Sequence, residues 1–279
     1  MKGCYKENKQ TYLNNRKHSK KRGKPMTCII GMYCDKRKNA IIISDSREMQ
    51  GYDFILKRKI YKINENVVYA GSGYTGMSIE LRDNVENRMR IEGIADNSET
   101  IKTIGDEMFK LRTYYKHPDA PRFSQDDVLI NAILGTYIQN KPKLYCLHEN
   151  GWAEPTEEKF RAVGDGWRFA NQILTSLYRE DLTVKQAIQL GIHCMVQISR
   201  LDSVVDDNPQ VAILQNNEIN IMNIRNGEFI MEHPDLMEMK NKINGIEDYR
   251  TKVFRLMMSN DDILKTEFKS LIEKYKDQD

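Results

Sequence analysis

Thr27 is the residue on which chemistry can be built. It opens an apolar run, "TCIIGMYC", at the point where a polar, lysine-laden stretch ending "KKRGKPM" stops. A threonine hydroxyl is a poor nucleophile until a neighbouring base takes its proton. A free α-amine, with a pKa of about 7.7 to 8.0, is a suitable base at neutral pH. That amine exists only when the peptide bond between Met26 and Thr27 is gone, so Thr27 matters as the first residue of a working chain. Cys28 is a poorer candidate, because it would need Thr27 removed as well. The five cysteines and five histidines contain no Cys-x-x-Cys and no paired-histidine spacing. The sequence therefore points to no metal, no cofactor and no disulfide framework. Asp45 and Lys59, single charges at strand ends, read by themselves as solvent-facing.

The elements that must position Thr27 are legible as alternating blocks. "TCIIGMYC" and "AIIISDS", split by the polar "DKRKN", predict a buried β-hairpin. "KIYKI" and "NVVYAGSG" predict two more strands, the second ending in a glycine-rich turn. Met77, Leu81, Val85 and Met89 fall on one helical face, and a second helix is expected from about Ser98, as its cap, to Tyr115. "VLINAILGTYI" and "KLYCLH" follow as strands around Asn140-Lys141-Pro142. "RAVGDG" then leads into a helix carrying Phe169, Ile173 and Leu177 on one face. Thr183 and Gln186 make a capping box before a helix with Val184, Ala187, Ile188, Gly191, Ile192 and Met195 inward, and "QVAILQN" with "EINIMNI" closes the pattern as a hairpin.

The order strands, two helices, strands, two helices, strands predicts an α+β fold: a four-layer αββα sandwich of two antiparallel sheets between helical layers. The expected division is a basic leader over 1–26, one domain over 27–231 and a helical extension over 232–279. Leu264, Phe268, Leu271, Ile272 and Tyr275 form an apolar stripe in that extension.

Charge and hydropathy bound the function. The leader holds nine Lys or Arg and one Glu, so the remainder of the chain is net acidic despite the overall +3. The basic character thus belongs to a solvated tail, and neither specific nucleic-acid binding nor membrane association is expected. No apolar run approaches the roughly 20 residues of a membrane span, and no secretory signal is read at the N-terminus. A soluble, cytoplasmic protein is expected.

"TCIIGMYC...AIIISDSR...RKIYKI...VVYAGSG" resembles the opening of a proteasome β-type subunit, a member of the N-terminal nucleophile hydrolases. The shared features, in order, are a threonine opening the first strand with glycine four residues on, Asp-x-Arg ending the second strand, lysine before the third, and Ala-Gly after the fourth. "VGDG" before a helix and "RLDS" before "VAIL" fit the same family. The resemblance implies that Thr27 attacks a substrate carbonyl to give an acyl-enzyme that water hydrolyses. It further implies that Lys59 favours the deprotonated nucleophile, that Asp45 holds Lys59, and that the Gly71 N–H is the oxyanion donor, an effect worth about 2.7 to 4 kcal/mol elsewhere. Asp202 is implied as a partner of the Thr27 amine, with Ser203 beside it. Arg47 is a supporting residue that neutralises a carboxylate, and Ser72 and Gly73 are also read as turn residues.

The chain departs from the family's pattern at two places. Asp165 stands where active β subunits carry serine between two glycines, adding negative charge that would raise the amine's pKa. Asp202-Ser203-Val204-Val205 replaces Asp-x-x-Ser, so the second supporting serine is absent in that register. The leader leaves three possibilities open: a self-cleaved propeptide, although glycine is expected where Met26 stands; initiation at Met26 followed by methionine removal; or retention, which would block Thr27.

The function expected is a threonine-type peptidase acting on peptide or protein substrates in a homo-oligomer or a ring with related subunits. A catalytically silent structural subunit, or a related amidase or peptide ligase, is the alternative. "REMQGYDFILK" is the candidate wall of a substrate pocket.

Overall fold

The structure is a computed structural model and describes residues 27–50, 53–72, 75–117, 131–148, 150–201, 205–225, 228–230 and 232–258. The leader, the stripe from Leu264 to Tyr275, Gly73, Asp202 and Ser203 lie outside the described residues. Two compact units divide between His233 and Pro234.

In the first unit, the opening hairpin pairs β1 (Ile29–Cys34) with β2 (Asn39–Ser44). Its turn runs through Asp35, Lys36 and Arg37, which have φ of 50°, 56° and 65°. A small second hairpin, β3 (Arg47–Gln50) with β4 (Asp53–Leu56), occupies the stretch read as a pocket wall. Then come β5 (Ile60–Asn64), β6 (Val67–Ser72), helix α1 (Thr75–Glu92) and helix α2 (Asn97–Lys116). The cap of α2 is Asp96 and not Ser98. The Asp96 carboxylate accepts from the N–H groups of Ser98 (2.8 Å) and Glu99 (3.0 Å), a role that the shorter, later serine cannot fill.

Strands β7 (Asn131–Ile138) and β8 (Lys141–Leu147) follow. The turn between them is only Gln139-Asn140, both with positive φ, so Lys141 and Pro142 belong to the strand rather than to the break expected there. Next are β9 (Ala153–Pro155), β10 (Phe160–Val163), helix α3 (Trp167–Leu177) and helix α4 (Val184–Leu201). The unit ends with β11 (Gln210–Gln215), β12 (Glu218–Ile221) and a short hairpin of β13 (Ile224–Arg225) and β14 (Glu228–Phe229). The box before α4 forms as read: the Thr183 N–H donates to Gln186 Oε1 at 3.0 Å, and the Gln186 N–H to Thr183 Oγ1 at 3.3 Å.

Two five-stranded antiparallel sheets result, ordered β10-β1-β2-β11-β12 and β5-β6-β7-β8-β9. Their facing surfaces bury Ile29, Tyr33, Ile42, Val68, Ile133 and Leu214. Gly31 lies in that seam because a Cβ there would press on the Ile133 side chain at 3.0 Å. On the outer face of the second sheet, Met77, Leu81 and Val85 from α1 and Ile104 and Met108 from α2 cover Tyr61, Val67 and Tyr69. Helices α3 and α4 cover β1 and β2 of the first sheet. Every residue of β1 and β2 is buried, as strands packed on both faces must be. The fold is the expected αββα sandwich.

The apolar stripe of α3 is not its buried face. Ala170 and Leu174 are buried, whereas Phe169 and Leu177 are exposed. The small Ala170 side chain allows the helix to sit close to the sheet, and the bulkier stripe is left on the outer surface. The second unit contains helix α5 (Pro234–Met258).

Candidate active site

Thr27 immediately precedes β1 and is 3% exposed. The β1–β2 register pairs Ile29 with Ser44, which brings Asp45, just past β2, opposite Cys28. Two bonds fix that corner: the Asp45 N–H donates to the Cys28 carbonyl (3.3 Å), and the Cys28 N–H donates to Asp45 Oδ1 (3.0 Å). The Arg47 N–H donates to the other carboxylate oxygen at 3.2 Å. Lys59 enters from the opposite sheet, one residue before β5. Its Nζ donates to both Asp45 oxygens at 3.0 Å and to Thr27 Oγ1 at 2.9 Å. Thr27, Asp45 and Lys59, at most 32 positions apart in the sequence, thus share one buried cluster.

The glycines of "VGDG" close the cluster from a third side. Gly164 has φ +84°, and a Cβ on it would run into the Thr27 carbonyl. Gly166 donates its N–H to that same carbonyl at 3.4 Å, and a Cβ on it would press on Cys28. Both positions are therefore glycine for reasons of contact with the nucleophile segment. Asp165 between them is exposed. Gly71 is free of a side chain because the Tyr69 ring fills the space. Its N–H, read as the oxyanion donor, donates to the Lys59 carbonyl at 3.3 Å and so is occupied in this state. Ser72 is buried, with its hydroxyl donating to the Asn131 carbonyl.

Behind this cluster lies a polar layer that sequence reading missed. Gln210, fully buried at the start of β11, accepts the Lys59 N–H at 2.9 Å and the Ile60 N–H at 3.4 Å. Its amide donates to Ser46 Oγ at 3.1 Å and to the Lys57 carbonyl at 2.6 Å. Asp206, also buried, accepts the N–H groups of Ser46 (3.0 Å) and Asn208 (3.1 Å). The only signal in the sequence is a cluster of polar residues, "DDNPQ", directly before an apolar strand. Val205, where the family pattern asks for serine, is completely buried.

Burial dominates the electrostatics. It pushes the Asp45 carboxyl up to about 6, opposed by the Lys59 ammonium and reinforced by the charge of Asp206. Asp206 is likewise raised by burial, with the Ser46 and Asn208 N–H groups, Lys59 and Arg47 working against the rise. The Cys28 thiol is pushed well up by burial and then by the charge of Asp45, which argues against Cys28 as a nucleophile. A lysine ammonium held on a carboxylate and donating to a threonine hydroxyl lowers the cost of negative charge on that oxygen.

Residues 24–214 match the family described as "Proteasome subunit", well over half of the chain. The chain belongs to the proteasome subunit family. It is 25% identical over 202 residues to a proteasome subunit beta of Methanosarcina barkeri, covering 67% of this chain and 85% of that one. Proteasome subunit beta 1 of Ignicoccus hospitalis is 26% identical over 183 residues (64% and 87%). Proteasome subunit beta 2 of Pyrococcus furiosus is 26% identical over 190 residues (67% and 86%). The matched span contains the whole cluster around Thr27. No described helix is long and apolar enough to cross a membrane.

Proposed function

We propose that this chain is a cytoplasmic threonine-type peptidase of the proteasome β kind, with Thr27 as its N-terminal nucleophile once residues 1–26 are removed. The observation that supports this reading is the 2.9 Å bond from Lys59 Nζ to Thr27 Oγ1, made by a lysine already held on Asp45. In the proposed sequence the freed Thr27 amine takes the hydroxyl proton, and Oγ1 adds to the scissile carbonyl. The intermediate collapses to an ester as the leaving amine takes up the proton. Water, activated by the same amine, then hydrolyses the ester. Use of the Gly71 N–H on the oxyanion requires that it leave the 3.3 Å bond to the Lys59 carbonyl, so substrate binding must loosen the end of the β5–β6 pair. Asp202 and Ser203 are proposed to complete the site beside the amine. The substrate is a peptide or protein, and the working form is a ring of copies or of related subunits, as the names of the relatives support.

A second reading, a structural subunit without activity, is favoured by Val205 in place of serine and by the engaged Gly71 N–H. Intact mass with N-terminal sequencing of the protein from its native host, followed by labelling with a threonine-reactive β-lactone, separates the two. A chain beginning at Thr27 that takes one label, lost in Thr27→Ala, supports the peptidase. A chain that keeps its leader and takes no label supports the structural subunit.

A further inference from the structure

The far end of the sandwich carries a second feature, unrelated to the cluster at Thr27. Between the β1–β2 turn and the β7–β8 hairpin lies a groove of about 740 Å³, lined by Lys36, Arg37, Lys38, Lys141 and Lys143. Thr27 precedes β1 and this turn follows it, so the length of the strand, roughly 20 Å at about 3.3 Å per residue, separates the two places.

The cations are presented by rigid backbone. The N–H groups of Asp35 and Lys36 donate to the carbonyls of Leu182 and Glu180 at 2.8 Å, and the Asp35 carboxylate accepts the Asn39 amide at 2.6 Å. Arg37 lies over the buried Tyr33 ring at 5.0 Å and donates to the Glu157 carbonyl. Lys141 and Lys143, two residues apart on β8, are exposed on the same face while Pro142 is buried on the other.

The acids nearby do not balance this charge. Glu180 is paired with Lys159 at 3.2 Å, and Glu158 faces Arg161 at 3.8 Å. Glu157 is the one acid in the lining. Among the described residues, Lys36, Lys38, Lys141 and Lys143 have no ion-pair partner. Glu157 offsets part of this charge, and the rest of the repulsion is relieved by solvent and salt. Thr156, in the same lining, is 8% exposed, and among the described residues its buried hydroxyl has no hydrogen-bond partner.

We propose that this groove binds a polyvalent phosphate anion, a short polyphosphate chain or the triphosphate of a nucleotide. Five cations arriving from two directions suit a compact multivalent oxyanion, with lysines as point charges and Arg37 supplying a planar donor. The volume accommodates several linked phosphates rather than a single ion. This inference does not depend on Thr27 being active.

The test is calorimetric titration of tripolyphosphate into the full-length protein at low salt. Residues 1–26 are themselves basic, so binding alone is not the criterion. Saturable binding that weakens at least about tenfold in Lys141→Glu/Lys143→Glu, with Lys185→Glu on α4 unchanged, is the expected result. Should the double variant fail to fold, Lys36→Glu/Lys38→Glu on the opposite wall gives the same reading. ATP, titrated in parallel, assigns the source: affinity equal to that of tripolyphosphate indicates the phosphate chain alone, and tighter binding indicates a nucleotide. Equal affinity in wild type and groove variant, or an equal loss in Lys185→Glu, overturns the proposal and leaves only bulk attraction to a basic chain.

Discussion

Lys59 Nζ stands 2.9 Å from Thr27 Oγ1, and it does so from the other sheet of the sandwich. The contact is therefore a property of how two sheets dock and not of any single element. Three supports hold it: the Asp45 carboxylate on the lysine tip, Gln210 on the lysine backbone, and Gly164 against the Thr27 carbonyl.

Thr27→Ala removes the proposed nucleophile and little else, since among the described residues its hydroxyl is held by the bond from Lys59. Peptide hydrolysis and lactone labelling are expected to vanish, with the melting temperature within a few degrees of wild type. Retained hydrolysis would move the chemistry to another residue.

Lys59→Ala leaves Asp45 buried without its counter-charge. Loss of one partner of a buried pair costs about 3–5 kcal/mol. Denaturant unfolding at pH 7 should show a drop of that order along with loss of activity. The same unfolding on Lys59→Ala/Asp45→Asn should recover part of it, because the orphaned charge is then gone.

The pH dependence follows from Asp45, whose carboxyl is raised from the ordinary 3.8 to about 6. Below about pH 6 it is protonated and no longer grips Lys59 as an ion, so the acid limb of the rate profile should break near 6. For stability the sign is opposite. Between about pH 4 and 6 the native state holds a proton that the unfolded chain has released. This group's contribution is thus full below about pH 4 and is lost as pH rises through about 6. Asp45→Asn should flatten that decline when unfolding free energy is measured across pH 4 to 7.

Gln210→Leu deletes four hydrogen bonds around Lys59 and puts an apolar side chain of similar size in their place. The unfilled Lys59 N–H and Lys57 carbonyl cost about 1–3 kcal/mol each if they stay buried. Steady-state kinetics should show kcat reduced with KM nearly unchanged, because the clamp sets the lysine and touches no substrate. An unaltered kcat would make Gln210 a purely structural residue.

Gly164→Ala combines a strained φ with a collision against the Thr27 carbonyl. Strain of that kind costs about 1–3 kcal/mol. The rate of lactone labelling should fall more than stability does, since the displacement is transmitted directly to Thr27.

The sequence made the front of the site legible because each residue there sits at the end of an obvious apolar run: Thr27 before "CIIGMYC", Asp45 after "AIII", Lys59 before "IYKI". The layers of the fold were legible for the same reason, from runs and helical periods. Gln210 and Asp206 were not, because their partners lie roughly 150 or more residues away along the chain and nothing local marks them as buried. The buried face of helix α3 was not legible, because its bulkiest apolar residues form a coherent stripe while the packing surface takes Ala170 and Leu174. The cap of α2 was displaced by two residues because serine and aspartate both qualify, and only backbone geometry chooses between them.

The seam between the two sheets gives the site the character of a vernier. Thr27 and Asp45 are carried on one scale and Lys59 on the other, with Ile29, Ile42, Val68 and Ile133 as the interlocking teeth. A slip of about one ångström between the scales would leave every strand and helix in place and the far-ultraviolet spectrum unchanged. It would still stretch a 2.9 Å hydrogen bond beyond its useful range. Mutations that enlarge or shrink those teeth, far from any substrate, are therefore tuning screws for the alignment of Lys59 on Thr27.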